Sequence, residues 1–534
     1  MRIRITLVCW ALLFGMSPVR PKLGAQGQMA QAVKVYLTTA DLSQRLTRQP
    51  DLHFAPARAS LVPTIHVDDL KTYQQIDGFG GALTDTSAWL LSTKLTPAAR
   101  DTLLHNLFDT AHGIGLSFLR LPIGASDFVK DSTVYTYDDV PPGSVDPTLA
   151  LFSIAHDLTY TVPLLRAVRQ INPALKIMAN PWTPPAWMKV PGSSTGPFTG
   201  QISPSFYPAL AYYFVRFLQA YRTQGIPIDT ISVQNEPGQS SFNGEAMVFP
   251  AEDEATFIAQ YLGPALASAH LGTRILAYDS HWQPTATTPD YPLVVLHNPA
   301  ARQYIAGTAW HCYAGSPQAM TRMHTAYPGK DNYETECMTG IAHGDAAELL
   351  IASVRNWARG VLIWNLALDP DGGPYYLGAG CGSICDAPLT IDQTTGGVSY
   401  NRDFYQLGQA SAFVHRGAYR IATNSFVPHY GDGNPCGKGS HSYGSGTVDN
   451  VAFKNRDGLE VLMAYNGALA SETFAVSWHG QSFRYRLPAC ATVTFTWRGA
   501  PYQGQVQPGR IDHRSQTDSQ RAPVRPRQTA RPRV

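Results

Sequence analysis

Eight short apolar or β-branched runs punctuate the chain between residues 74 and 368. They are QQIDGFGGALT (74–84), SFLRLPIG (117–124), KIMANPW (176–182), DTISVQNEP (229–237), RILAYDSHW (274–282), AGTAWHCY (306–313), NYETEC (332–337) and GVLIWNLAL (360–368). Runs of this length bounded by turn residues predict strands buried on both faces. Segments with apolar residues at 3–4 spacing lie between them: PAARDTLLHNLFD, TYTVPLLRAVRQIN, YPALAYYFVRFLQAYRTQG, AEDEATFIAQYLGPALASAH and AAELLIASVRNWARG. The first has Pro at a first-turn position and the last closes on Arg and Gly, a helix start and a helix stop. The helix signals after the fifth and sixth strands are weaker. Eight strand–helix units predict an α/β fold, a (β/α)8 TIM barrel over residues 74–404.

Beyond residue 404 the pattern is strand only. NVAFKNRDGLEVLMAYN and ETFAVSWHGQSFRYRL each read as two strands around a tight turn, and ATVTFTW alternates at period two. VKVYLTT and TIHVD, ahead of the barrel, are also strand-like. The expectation is a side β-sandwich built from both flanks, residues 26–73 and 405–498.

Polar and aromatic residues collect at the predicted strand ends: Asp127, Trp182, Asn235, Glu236, His281, His311, Glu336 and Trp364. In such barrels the chemistry lies at that end. Glu236 precedes Pro237, which favours an extended residue before it, so Glu236 is expected to end the fourth strand. Glu336 ends the seventh, across the barrel mouth. Two facing carboxylates suit glycosidic bond cleavage, in which one protonates the leaving oxygen and the other attacks the anomeric carbon or activates water. Glu334 lies two residues before Glu336. In a regular strand the two share a face, with Glu334 roughly 6–7 Å deeper. A carboxylate there needs a partner or keeps its proton.

The bulk composition narrows the picture. The 534 residues are 44% hydrophobic and 15% charged with a net charge of +2, so the whole chain offers no field for nucleic acid. Arg2, Arg4 and an apolar run from Ile5 to Met16 read as a secretory leader over residues 1–25, too short to span a bilayer. The expected destination is the periplasm or the medium, without stable membrane insertion. Residues 499–534 hold an Arg-rich segment with little to bury, an expected disordered tail. Of the seven cysteines, Cys9 belongs to the leader. Cys381 and Cys385 are candidates for a local disulfide, and Cys436 with Cys490 for another. Cys312 and Cys337 either pair or stay buried and free. Metal-ligand spacings such as H-E-x-x-H are missing from the sequence, so no metal and no cofactor is expected.

The motifs DGFGGALTDTSAWLL, FLRLPIGASDF, ANPWTPPAWMK, SVQNEP, AWHCY, ETECMTG and WNLALDPDGGP resemble, in order and spacing, the glucosylceramidase-type members of glycoside hydrolase family 30. The resemblance implies a retaining enzyme with Glu236 as acid/base and Glu336 as nucleophile. It further implies that Asn235 meets the sugar 2-hydroxyl, that Arg120 holds Glu336, and that Asp127, Trp182 and Trp364 grip the terminal sugar. Tyr313 is expected to bond Glu336, and His311 to bond it or a core group. Phe128 and Trp187 are expected to pack rather than touch substrate. The loop after the acid/base, GQSSFNGEAMVFPAEDE, departs from the animal lysosomal enzyme, and Glu334 departs from the family pattern. The implied substrate is a terminal β-glucoside such as glucosylceramide, with peripheral contact to lipid. The alternatives are a β-1,6-glucanase of the same family and a non-catalytic carbohydrate-binding protein.

Overall fold

The computed structural model describes residues 31–58, 61–194, 198–237, 247–283, 290–342, 345–376, 385–425, 436 and 448–501. The expected leader, most of the Arg-rich tail and Cys381, hence the expected Cys381–Cys385 pair, lie outside the described residues.

Eight parallel strands close a barrel. In chain order they are Gly78–Ala82, Phe118–Pro122, Lys176–Asn180, Thr230–Ser232, Arg274–His281, Ile305–His311, Asp331–Glu336 and Ala358–Ile363. Each lies within or overlaps one of the eight apolar runs. Their inward faces meet in a small core of Phe118, Met178, Leu276, Ala309, Tyr333 and Leu362. Their outward faces join a much larger core under the helices, with Leu119, Ile177, Ile231, Ala277, Trp310 and Ile363. The first strand can pack this tightly because it is glycine-rich. A Cβ on Gly80 would stand 1.8 Å from the Phe118 carbonyl oxygen of the second strand.

The surrounding helices follow the sequence signals. Helix Pro97–Phe108 starts with Thr96, whose side chain accepts from the Ala99 amide, and with Pro97 in its first turn. Behind the fifth strand, Ala251–Phe257 runs through a π-helical turn, Ile258–Leu262, into Gly263–Ser268. The last barrel helix, Arg402–Ser411, runs across residue 404, where the sequence pattern was read as ending. Its buried Asp403, Gln406 and Gln409 interrupt the apolar stripe that would have announced it.

Both flanks build the sandwich. Strand Ala32–Thr38 pairs with Thr492–Arg498 near the opposite end of the chain. The long strand Thr64–Gln75 pairs first with Glu472–Trp478 and further along with Tyr419–Thr423, so the sheet doubles over a core that includes Val35, Phe54, Leu462, Phe474 and Phe495. The predicted hairpin turn at His479–Gly480 has φ of +48° and +74°, the left-handed pair that a two-residue turn requires. Cys436–Cys490 is a disulfide, as is Cys312–Cys337, which ties the ends of the sixth and seventh barrel strands.

Candidate active site

Two irregularities on either side of the sixth strand shape the barrel mouth. Against the fifth strand, Ala309 faces Tyr278 and Trp310 faces Ser280, which leaves Asp279 as an extra residue. Against the seventh, Trp310 faces Glu334 and His311 faces Glu336, which leaves Thr335 extra. Bulges of this kind re-aim side chains. The two extra residues meet inside the barrel, where Thr335 Oγ1 donates to Asp279 Oδ1 at 2.6 Å.

The bulge at Thr335 overturns the expectation that Glu334 and Glu336 share a face. Glu336 turns into the mouth with Thr335. Glu334 points the other way, into the layer between strands and helices, where the Trp282 indole donates to its Oε2 at 2.7 Å. Burial pushes the Glu334 carboxyl well above the usual carboxylate range. Of its two expected outcomes, a buried cation or a proton of its own, the surroundings favour the proton.

Glu236 also departs from expectation. Its φ is +46°, so it is not extended, and it lies four residues past the short fourth strand. The Glu236 amide donates to the Asp279 carbonyl at 2.9 Å, a tertiary bond that overrides the preference set by Pro237.

Arg120, fully buried on the second strand, is the central cation. It donates to Glu336 Oε2, to Asn235 Oδ1 at 2.7 Å and to Asp279 Oδ2 at 3.2 Å. Its guanidinium carbon lies 4.8 Å and 5.1 Å from the rings of Trp182 and Trp364, which stack on each other at 4.9 Å. Phe128 packs edge-on against Trp364. Tyr313 donates to the other oxygen of Glu336 at 3.0 Å. Burial raises the Tyr313 phenol, the charges of Glu336 and Glu236 add to it, and Asp127 is near enough to contribute last. Trp187 packs against Phe206, with its indole on the Asp138 carbonyl.

His311 joins the two halves of the cluster. One ring nitrogen faces Glu236 Oε1 at 2.8 Å and the other faces Asp279 Oδ1 at 3.1 Å, while Glu336 is 3.8 Å away. Burial pushes the imidazole down, but the Glu336 charge and the bonds to Asp279 and Glu236 outweigh it and raise it to about 10. His281 adds a second contact to Glu236 Oε1 at 3.1 Å. Burial pushes Glu236 up, yet the two imidazoles prevail and hold it below the usual carboxylate range.

The residues expected to catalyse or to bind the sugar therefore converge: Arg120, Asp127, Trp182, Asn235, Glu236, His311, Tyr313, Glu336 and Trp364. Asp279 escaped notice. It also accepts from Asn180 at 2.9 Å and Ser232 at 2.5 Å, and Arg120 with His311 outweighs its burial to hold it at about 2. Its signal was an acid inside an otherwise apolar run, in AYDSHW.

Single oxygens of Glu236 and Glu336 and a nitrogen of His311 lie within 4.8 Å of one another. A divalent cation could use such donors, but Arg120 and Tyr313 already fill the Glu336 oxygens and carboxylates occupy both His311 nitrogens. The arrangement instead offers two close carboxylates in different states: one held by a permanent cation, the other by groups that exchange protons.

Both domains of the chain are similar to known proteins. Residues 76–414 match the glycosyl hydrolase family 30 TIM-barrel domain, and residues 417–495 match the glycosyl hydrolase family 30 beta sandwich domain. The chain is 32% identical to an endo-1,6-beta-D-glucanase of Neurospora crassa over 84% of this chain and 92% of that one. It is 31% identical to the lysosomal acid glucosylceramidase of Mus musculus over 80% and 82%. A solved endo-beta1,6-glucanase aligns with a TM-score of 0.74 at 29% identity, covering 88% of this chain and all of that one. With both domains matched from residue 76 to residue 495, the chain belongs to glycoside hydrolase family 30 and is an enzyme that hydrolyses glycosidic bonds.

Proposed function

We propose that this enzyme is a retaining endo-β-1,6-glucanase, with Glu336 as nucleophile and Glu236 as acid/base. The observation that carries the role assignment is the unequal company of the two carboxylates. Arg120 cannot give up its charge, so its bond to Glu336 Oε2 is a permanent one that suits a nucleophile. Glu236 instead bonds two imidazoles, groups that, unlike a guanidinium, are able to give up a proton. Oxygens of the two carboxylates lie within 4.8 Å of each other, which is nearer the roughly 5–5.5 Å of a retaining pair than the roughly 6.5–9.5 Å of an inverting one.

In the first step a Glu336 oxygen bonds to the anomeric carbon as the glycosidic bond breaks, and the leaving oxygen takes the proton of Glu236. In the second, Glu236 takes a proton from water, the water oxygen bonds to the anomeric carbon, and the ester to Glu336 breaks. While Glu236 holds its proton, Arg120 and His311 balance Asp279 and Glu336, so the buried cluster is neutral at the start of the first step. Arg120 engages Asn235 through its oxygen, which leaves the amide nitrogen to meet the sugar 2-hydroxyl. Asp127, Trp182 and Trp364 form the sugar-side wall.

Substrate choice rests on the Neurospora crassa glucanase and the solved glucanase, matched over 84% and 88% of this chain against 80% for the mouse glucosylceramidase. The second reading, glucosylceramide hydrolysis, draws on that animal relative. The two disulfides favour export to an oxidising compartment. A substrate panel tests the proposal. β-1,6-glucan should be cut to oligosaccharides, with glucosylceramide in detergent turned over far more slowly. Cleavage of glucosylceramide with the glucan left intact would overturn it.

A further inference from the structure

The catalytic cluster depends on one irregular stretch, Tyr278–Asp279, and a residue outside the mouth supports that stretch. Tyr278 and Asp279 have φ of +78° and +79°. Two successive non-glycine residues in the left-handed region are costly and persist only where their surroundings fix them. At the bulge the strand ladder slips, and the Tyr278 amide takes a side-chain acceptor. It donates to Glu254 Oε1 at 3.1 Å. Glu254 is fully buried on helix Ala251–Phe257, behind the fifth strand and next to the π-helical turn.

We infer that Glu254 is a positioning residue, which holds the Tyr278–Asp279 bulge so that Asp279 can align both carboxylates of the active site. The reach of the bulge explains why. The Asp279 carbonyl accepts from the Glu236 amide, and its carboxylate meets Arg120 and His311. Arg120 in turn holds Glu336, and His311 holds Glu236. The Tyr278 hydroxyl adds a bond to the carbonyl of His281, the second imidazole on Glu236. Every path from the scaffold to the two carboxylates that uses Asp279 thus passes one residue from the amide that Glu254 caps.

Burial pushes the Glu254 carboxyl up to about 7, against the bond from the Tyr278 amide. A neutral amide therefore serves as a fair substitute at this position. Glu254→Gln keeps an oxygen acceptor for the Tyr278 amide, whereas Glu254→Met keeps the volume and removes the acceptor.

The inference rests on the catalytic roles proposed for Glu236 and Glu336, so the experiment separates the two. A mechanism-based glycosidase inactivator is first used to label the unaltered enzyme. Ester formation at Glu336 supports those roles, and labelling elsewhere overturns them whatever the variants do. kcat and KM are then measured per titrated site for both variants, beside their melting temperatures. Glu254→Met should lose about 10- to 100-fold in kcat with KM little changed, the scale expected for misplaced catalytic groups. Glu254→Gln should restore most of that loss. If Glu254→Met melts earlier but keeps full kcat per site, the residue is only structural and the inference fails. Equal losses in kcat for both variants would also overturn it. Should Glu254→Met not fold, Glu254→Asp, which draws the acceptor back by one methylene, takes its place. An unchanged kcat in that variant would sink the idea.

Discussion

At the N-terminal end of the barrel, Asp77 meets Lys176 at 2.5 Å, Arg359 at 3.3 Å and Arg274 at 3.8 Å, and Tyr333 donates to it at 2.6 Å. Asp331 shares Arg359 and Arg274. At the C-terminal end, Asp279, Glu236 and Glu336 surround Arg120, with His311 and His281 between them. Both ends bury charge in a closed barrel. At the first end two carboxylates face two guanidiniums and the Lys176 ammonium, so each carboxylate is paired with fixed cations. At the second, carboxylates outnumber fixed cations and imidazoles make up the difference. A saturated network fastens strands together; an undersaturated one holds a movable proton.

The sharpest way to break this contrast is to remove the carboxylates of the mouth. Glu336→Gln should cost roughly 10⁴-fold or more in kcat on every substrate, as loss of a nucleophile does elsewhere, with folding intact. Glu236→Ala should be equally severe on β-1,6-glucan but mild on aryl glucosides whose leaving groups need no proton. Equal losses on both substrate types would remove Glu236 from the acid/base role.

The opposite end should respond in stability alone. Asp77→Asn strands buried cations and should cost about 3–5 kcal/mol in unfolding free energy, measured by denaturant titration, while kcat per titrated site stays unchanged. A matching fall in kcat would show that the two ends are not separate.

A smaller effect should appear with pH. His311 is raised from 6.5 to about 10 in the folded protein. Its charged interactions therefore stabilise fully below about pH 6.5 and are lost as pH rises towards 10. Melting temperature should fall more steeply across that interval in the unaltered protein than in His311→Asn. Parallel profiles would mean that His311 is not charged in the fold.

Glu334→Gln should be the mildest change. An amide replaces a carboxyl that already carries a proton and keeps the bond from Trp282, so stability should move by less than about 1 kcal/mol. A large loss would mean that Glu334 is ionised.

Much of the site could be read in the sequence because its residues sit at strand ends, and strand ends are marked by where apolar runs stop. Asn235, Glu236 and Glu336 are legible that way, whereas Arg120, inside the run SFLRLPIG, comes only with the family resemblance. The eight strands were legible for the same reason, since burial on both faces leaves an apolar signature. The bulges were not. A period-two reading assumes unbroken alternation, and nothing in NYETEC or AYDSHW distinguishes a regular strand from one with an extra residue. Glu334 and Glu336 were put on one face for that reason, and Asp279 was passed over as a residue inside a strand. The left-handed turn at Glu236 was hidden by the same limit, because the bond that fixes it comes from Asp279, 43 positions away.

The disulfide between Cys312 and Cys337 begins one residue after His311 and one residue after Glu336. It closes a loop whose ends are 25 positions apart, which takes roughly 3.5 kcal/mol of freedom from the unfolded chain. Its consequence is one of timing. Before the thiols oxidise, the strand ends that present His311 and Glu336 have no covalent tie; afterwards they descend from a single staple. The final setting of the mouth is then linked to thiol oxidation, a chemical event separate from the folding of the barrel.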